Sequence, residues 1–224
     1  MLIRTEKLSK IYSVRGGKKG AFHAVRDAEI EIAPGETVGL LGDSGGGKST
    51  LGMMLAGLLK PDAGRIFYHD AALRYPIRGE RRRDIQILFQ HPEVSFNPAL
   101  PVIRSLTEPY RLYDRLYTQE KLLADMEKMG LYEEHLNRYP SQLSGGELQR
   151  LALTRLMVLK PAFIVLDEPT SMLDVISQAQ ILALLKEYQC ETNAAFLLIT
   201  HHKILAQTVC GRIYNIKDGV LSGG

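Results

Sequence analysis

The run Gly42-Asp43-Ser44-Gly45-Gly46-Gly47-Lys48-Ser49-Thr50 restricts the possible folds of this chain more than any other feature. It fits GxxxxGK[ST], and an apolar run at 37–41 precedes it while a helix-like stretch reaching Leu59 follows. Glycines let backbone N–H groups converge on phosphate oxygens with no Cβ in the way. A helix start adds unpaired N–H groups and a partial positive charge. Lys48 supplies a point charge at the β/γ phosphates, and the Ser49 hydroxyl is a hard oxygen ligand for Mg²⁺. A glycine-rich turn that only joins strand to helix leaves the attached Lys48-Ser49-Thr50 unexplained. The spacing therefore predicts a nucleotide site over residues 42–50.

A second element of the same chemistry lies far along the chain. Phe163-Ile164-Val165-Leu166-Asp167-Glu168 places two carboxylates at the end of an apolar run. Such a run fits a parallel strand covered on both faces, and in doubly wound sheets ligands bind at the carboxyl ends of strands. Asp167 is then placed to orient Mg²⁺ and Glu168 to polarise an attacking water. A strand ending in a solvated acidic turn is common, but beside a phosphate loop the pair supplies what phosphoryl transfer needs.

The rest of the chain reads as a mixed α/β fold. Residues 28–32 alternate apolar and polar, as in a half-buried strand. Segment 12–23, with Gly16-Gly17-Lys18-Lys19-Gly20, reads as a flexible loop. Arginines crowd 74–83, a strand is predicted at 85–89, and 91–101 is irregular. Residues 105–136 read as a charged helical block that keeps apolar periodicity, like an inserted helical subdomain and unlike a linker, and 147–160 read as an amphipathic helix. A helix near 177–188, a strand at 196–199 and a hairpin around Lys217-Asp218-Gly219 complete the chain. With 224 residues, 45% hydrophobic and 24% charged, the sequence suits one large domain. A net charge of +3 is too small to point to nucleic acid. Cys190 and Cys210 are too few for a disulfide framework, which implies a reducing compartment. The charged N-terminus does not read as a signal peptide, and no apolar run reaches the roughly 20 residues of a membrane helix.

Leu143-Ser144-Gly145-Gly146-Glu147 precedes the amphipathic helix. Ser144 and Glu147 have capping-box spacing, which accounts for those two residues but not for the glycine pair. This segment resembles the signature sequence of ATP-binding cassette (ABC) ATPases. Further matches follow in family order: Tyr12 at the adenine-stacking position, Gln90 at the Q-loop, Ser171-Met172-Leu173-Asp174 at the D-loop and His201 at the switch histidine. The resemblance covers essentially the whole chain. It implies an α/β fold: a P-loop NTPase core, an antiparallel β subdomain and the helical insertion, in one domain over 1–224.

The resemblance implies that Tyr12, residues 42–50 and Gln90 bind ATP, with Ser49, Gln90 and Asp167 at Mg²⁺. Glu168 would be the general base and His201 would contact the γ-phosphate. Ser144, Gly145, Gly146 and Glu147 would face the ATP held by a second cassette, and Asp174 would be the D-loop aspartate. The helical subdomain, which the resemblance places at roughly 91–160, would dock on transmembrane permease subunits at the cytoplasmic face of the membrane, an extracytoplasmic substrate-binding protein acting indirectly. Phe89-Gln90-His91-Pro92, Ser95-Phe96-Asn97-Pro98 and Glu108-Pro109 resemble the dipeptide, oligopeptide and nickel importer branch, the second ATPase subunit of a nickel importer above all. That branch implies a heterodimer in preference to a homodimer. The alternative is an ABC ATPase outside transport, such as a carbon–phosphorus lyase-type accessory subunit. Repair ATPases carry a long coiled coil between the two motifs, and no such heptad run lies between Thr50 and Leu143. Three positions depart from the family: Glu147 for the commoner Gln, His202 for Asp, and Met172 for a small residue. Glu147 loses an amide donor and adds negative charge beside a nucleotide.

Overall fold

The computed structural model describes residues 1–14, 20–113, 117–171 and 173–224, and divides them into two compact units. The loop expected within 12–23 is shorter than the sequence suggests, because strand pairing extends into both of its ends; its centre, 15–19, and the Met172 position lie outside the described residues.

The first unit comprises 1–87, 162–168 and 193–224. It opens with β1 (Ile3–Val14), β2 (Gly20–Ala28), the short β3 (Glu31–Ile32) and β4 (Thr37–Leu41). Helix α1 (Lys48–Leu55), β5 (Ala63–Tyr68), β6 (Ala71–Ala72), α2 (Glu80–Asp84) and β7 (Ile85–Leu88) follow. In the second unit, which comprises 88–161 and 169–192, come α3 (Val102–Leu112), α4 (Gln119–Lys128) and α5 (Gly145–Met157). The chain returns to the first unit for β8 (Phe163–Asp167), leaves it for α6 (Val175–Thr192), and ends there with β9 (Ala195–Ile199), α7 (Lys203–Val209), β10 (Arg212–Lys217) and β11 (Val220–Gly223).

Among the described residues the strands form one sheet in the order β6-β5-β1-β2-β11-β10-β4-β9-β8-β7, with β3 on β1. The β1, β2, β3, β5 and β6 pairings are antiparallel. The β10–β4, β4–β9 and β9–β8 pairings are parallel. Residues 28–32 keep their alternating burial, although only Glu31–Ile32 pair as a strand. β8 and β9 are buried at every position, as expected of strands that are apolar throughout. Each fully buried Ile, Val, Leu or Phe contributes about 1.5–3 kcal/mol relative to exposure.

Helix α1 packs on β8 and β9. Gly52 permits that approach: a Cβ there would lie 2.7 Å from Ile199 Cδ1 and 3.1 Å from Val165 Cγ1. The helix ends before Leu59 because Gly57, at φ +71°, turns the backbone left-handed. Asp218 (φ +50°) and Gly219 (φ +78°) form the turn between β10 and β11 that the sequence predicts. At the start of β10, Arg212 Nε and Nη2 donate to Glu36 Oε1 and Oε2 at 2.6 and 3.0 Å, and Nη2 also donates to Glu31 O.

Within the second unit, α5 packs against α3 and α4. Arg155 donates to Ser95 O and to the Glu108 carboxylate, tying the turn Pro92–Ser95 and α3 to α5. Val102, Leu106, Leu122, Met126, Leu148 and Leu151 are buried and make up much of its core. Helix α6 begins earlier than its apolar pattern suggests, because Asp174 caps it: Oδ1 accepts from Ile176 N and Ser177 N, each at 3.0 Å.

Candidate functional site

In the first unit, β4 delivers the chain to the 42–47 loop and α1 carries it away. Gly47, at φ +107° and ψ 0°, is the N-cap residue of α1. A Cβ on it would stand 2.2 Å from Ala24 O, so the loop closes against β2 only with glycine at this position. The start of α1 has no side-chain cap and no acidic residue in its first turn. Its N–H groups and dipole are thus left to an external anion. Lys48 Nζ folds over the loop, donating to Gly42 O at 2.7 Å and Asp43 O at 2.8 Å. The loop is braced from below by Gly219 N, which donates to Gly46 O at 3.2 Å.

The acidic pair meets this loop. The Ser49 hydroxyl hydrogen-bonds the buried Asp167 carboxyl, and burial pushes that carboxyl's pKa above its ordinary value. Ser49 at the head of α1 and Asp167 at the end of β8 form a hard-oxygen donor set, which fits a small divalent cation such as Mg²⁺. Glu168 has φ +49°, an uncommon conformation for a residue with a side chain. Its N–H donates to Ile199 O at 3.0 Å, which holds the strained residue against β9. Its Oε1 accepts from the His201 backbone N–H at 3.0 Å and lies 2.7 Å from His201 Nδ1. Thr200 Oγ1 lies 3.4 Å from Oε2. A carboxylate at Nδ1 favours the Nδ1–H tautomer and leaves Nε2 facing outward from a ring that is 71% exposed. A carboxylate oriented by a second group in this way is able to activate a nucleophile. Asp43, Ser44, His201 and Asn215 line one recess of about 540 Å³.

His202, one of the departures from the family, has a structural task here. It is the N-cap of α7, with Nδ1 accepting from Leu205 N at 3.0 Å, the task an aspartate would perform. Tyr12 lies on β1, 40% exposed, with Lys10 Nζ 5.8 Å from its ring centre. Phe22 on β2 pairs directly with Tyr12 on β1 and is 50% exposed, a neighbour that nothing in the local sequence singles out. The signal that identifies it is cross-strand register, which belongs to the folded ribbon. Thr200 and Asn215 likewise join the site through strand pairing and carry no local motif.

The other motif residues belong to the second unit. Gln90 is exposed just after β7. Ser144 caps α5 and forms the full capping box with Glu147: Glu147 N donates to Ser144 Oγ at 3.2 Å, and Ser144 N donates to Glu147 Oε2 at 2.7 Å. Ser144 and Gly145 are exposed, so this helix start is open to an approaching anion. Gly146 lies close to Leu173: a Cβ on it would come 3.0 Å from Leu173 Cδ2. Asp174, beyond capping α6, accepts from Ser177 Oγ at 2.6 Å.

Known proteins share this arrangement. The chain is 35% identical to the oligopeptide transport ATP-binding protein OppF of Haemophilus influenzae, over 92% of its own length and 64% of that protein's. It is 37% identical to the nickel import ATP-binding protein NikE of Pseudomonas putida, covering 90% of this chain and 76% of the relative. It spans 43–64% of the length of several curated relatives it matches. Its fold superposes with a TM-score of 0.87 on the dimeric post-hydrolysis structure of the ATP-binding cassette MJ0796 bound to ADP and Pi, at 27% identity and covering 99% of this chain and 98% of that one. Residues 25–171 match the ABC transporter family model. With its phosphate loop, its acidic pair and these relatives, the chain belongs to the ABC transporter family of ATP-binding cassettes.

Proposed function

We propose that this chain binds and hydrolyses ATP to energise an ABC importer of peptides, nickel or metal chelates. The observation that carries the hydrolytic part is the Glu168–His201 pair at the end of β8, one residue beyond the Asp167 that bonds Ser49. The importer part rests on the similarity to oligopeptide and nickel import ATP-binding proteins.

In this reading, the N–H groups at the head of α1 and Lys48 hold the triphosphate, and Tyr12 stacks on the adenine. Ser49, Asp167 and Gln90 are the groups that would hold Mg²⁺, which offsets phosphate charge when bound. Glu168 takes the proton of the attacking water on a carboxylate oxygen, while His201 holds that carboxylate and turns Nε2 toward the γ-phosphate. Ser144, Gly145, Gly146 and Glu147 meet the ATP of a second cassette, a heterologous one as in the importer branch, and Asp174 lies at the same interface. The helical subdomain, roughly 91–160, docks on permease subunits at the cytoplasmic face of the membrane, with an extracytoplasmic binding protein delivering cargo. Among the described residues no helix is long and apolar enough to cross a membrane, so a docked, peripheral position fits.

Glu168→Gln tests the hydrolytic assignment. ATP binding should be retained while turnover falls by about 10²–10⁴-fold, the usual contribution of a general base. Wild-type turnover in that variant removes Glu168 from the role. Lys48→Ala should instead lose nucleotide affinity. A gentle pull-down from native membranes tests the importer assignment: multi-spanning permease chains and a second cassette support it, and recovery of soluble enzymes alone overturns it in favour of the accessory-ATPase alternative.

A further inference from the structure

Glu147 places a carboxylate in the first turn of α5, at the helix end that attracts anions. Ser144 N–H and Ser144 Oγ–H donate to its Oε2 at 2.7 and 2.8 Å. Those bonds, Ser144's backbone N–H first, hold the carboxyl below its usual pKa, so it stays charged. A phosphate approaching Ser144 therefore meets a resident negative charge and a hydroxyl proton already committed to it. The other oxygen, Oε1, faces a buried ring from outside the helix: His135 Nε2 lies at 3.2 Å, with Arg138 Nη1 at 4.0 Å. His135 ends the turn Glu133–His135 and is 5% exposed. Its Nδ1 lies 3.0 Å from both the N and the O of Tyr132. A neutral ring accepts from Tyr132 N–H and donates Nε2–H to Glu147.

We propose that His135 is a positioning residue for the signature segment, acting through Glu147 to set how Ser144 is presented to the ATP of a second cassette. This rests on the two-cassette reading above. His135 holds the Glu147 carboxylate from a buried ring, which fixes its orientation and offsets part of its charge. The other charged or titratable groups nearby are Arg138, which Glu134 engages at 3.2 Å, Glu133, which accepts from Gln119 at 2.9 Å, Tyr132, whose ring centre is 6.2 Å from that of His135, and Arg150 on α5.

The test uses the full chain purified with the subunits it retains from native membranes, and measures ATPase kcat and KM for ATP at one fixed pH. His135→Ala should raise KM for ATP by about three- to tenfold with kcat nearly unchanged. His135→Gln keeps an amide donor for Glu147, so it should recover most of the loss in KM. Glu147→Gln should make His135→Ala silent. The proposal is overturned if His135→Ala has equal effects in wild-type and Glu147→Gln backgrounds, because the ring would then only be packing, or if KM does not respond to His135→Ala. Ser144→Ala, run beside these, separates the two ideas: if it leaves KM for ATP and ATP-driven cassette association unchanged, the two-cassette reading itself is what has failed.

Discussion

Two glycines of one loop offer a controlled measurement of how tightly the phosphate loop is built. Gly47→Ala forces a side chain onto a residue at φ +107°, ψ 0°, at a cost of about 1–3 kcal/mol in a sparsely populated region. The new Cβ would also sit 2.2 Å from Ala24 O and 3.1 Å from Ile216 Cδ1. The first of these is a backbone atom of β2, so relief requires moving a strand, adding about 1–3 kcal/mol by analogy with overpacked cores. Gly45→Ala faces a similar backbone penalty at φ +79°, but its Cβ would meet nothing within 4 Å. The sum for Gly47→Ala is about 2–6 kcal/mol, against about 1–3 kcal/mol for Gly45→Ala. At about 2–4 °C per kcal/mol for a chain of this size, the expected Tm losses are roughly 4–24 °C and roughly 2–12 °C, the Gly47→Ala loss being about twice the other. Differential scanning fluorimetry without nucleotide reads both. Equal losses in the two variants would show that the contact with Ala24 does not constrain the loop, and would refute the reasoning.

His202→Ala removes the acceptor that caps α7 and should cost about 1 kcal/mol in urea unfolding, whereas His202→Asp should recover it; an unchanged midpoint for the alanine variant would deny the cap. Asp167→Asn should raise Tm at neutral pH while abolishing turnover. Its raised pKa means the folded state resists ionising this carboxyl, so the penalty is present above that pKa and fades as pH falls; the gain in Tm should shrink on acidification. A Tm gain that is independent of pH would locate its source elsewhere.

The phosphate loop is legible in the sequence because its chemistry is local: eight consecutive residues, Gly42 to Ser49, carry their own spacing. β8 and β9 are equally plain, since a parallel strand buried on both faces is an unbroken apolar run. Features that are non-local, or that depend on a single residue, leave no such trace. The Glu168–His201 bond exists because Asp167 stands opposite Ile199 in the β8–β9 register, a pairing no local pattern encodes. The strand ends flanking 15–19 read as loop because glycines and lysines dominate the middle of that segment. Helix α6 starts at Val175, ahead of its apolar periodicity, on the strength of the Asp174 cap. The His135–Glu147 contact joins a turn to a helix start, and only the folded helical unit brings the two together.

The parallel pairings of β4 also bear on how the chain is made. The strand that launches the phosphate loop ends at Leu41, yet its two hydrogen-bonded neighbours begin at Ala195 and Arg212. On a ribosome adding about 5–20 residues per second, β4 waits on the order of 8–30 s before either neighbour has been synthesised. During that interval Val38, Leu40 and Leu41 present an unsatisfied apolar edge, and the nucleotide loop cannot yet be set. Completion of this sheet is therefore a late event in biogenesis, and the nascent chain is a natural client for chaperones that shield exposed strands.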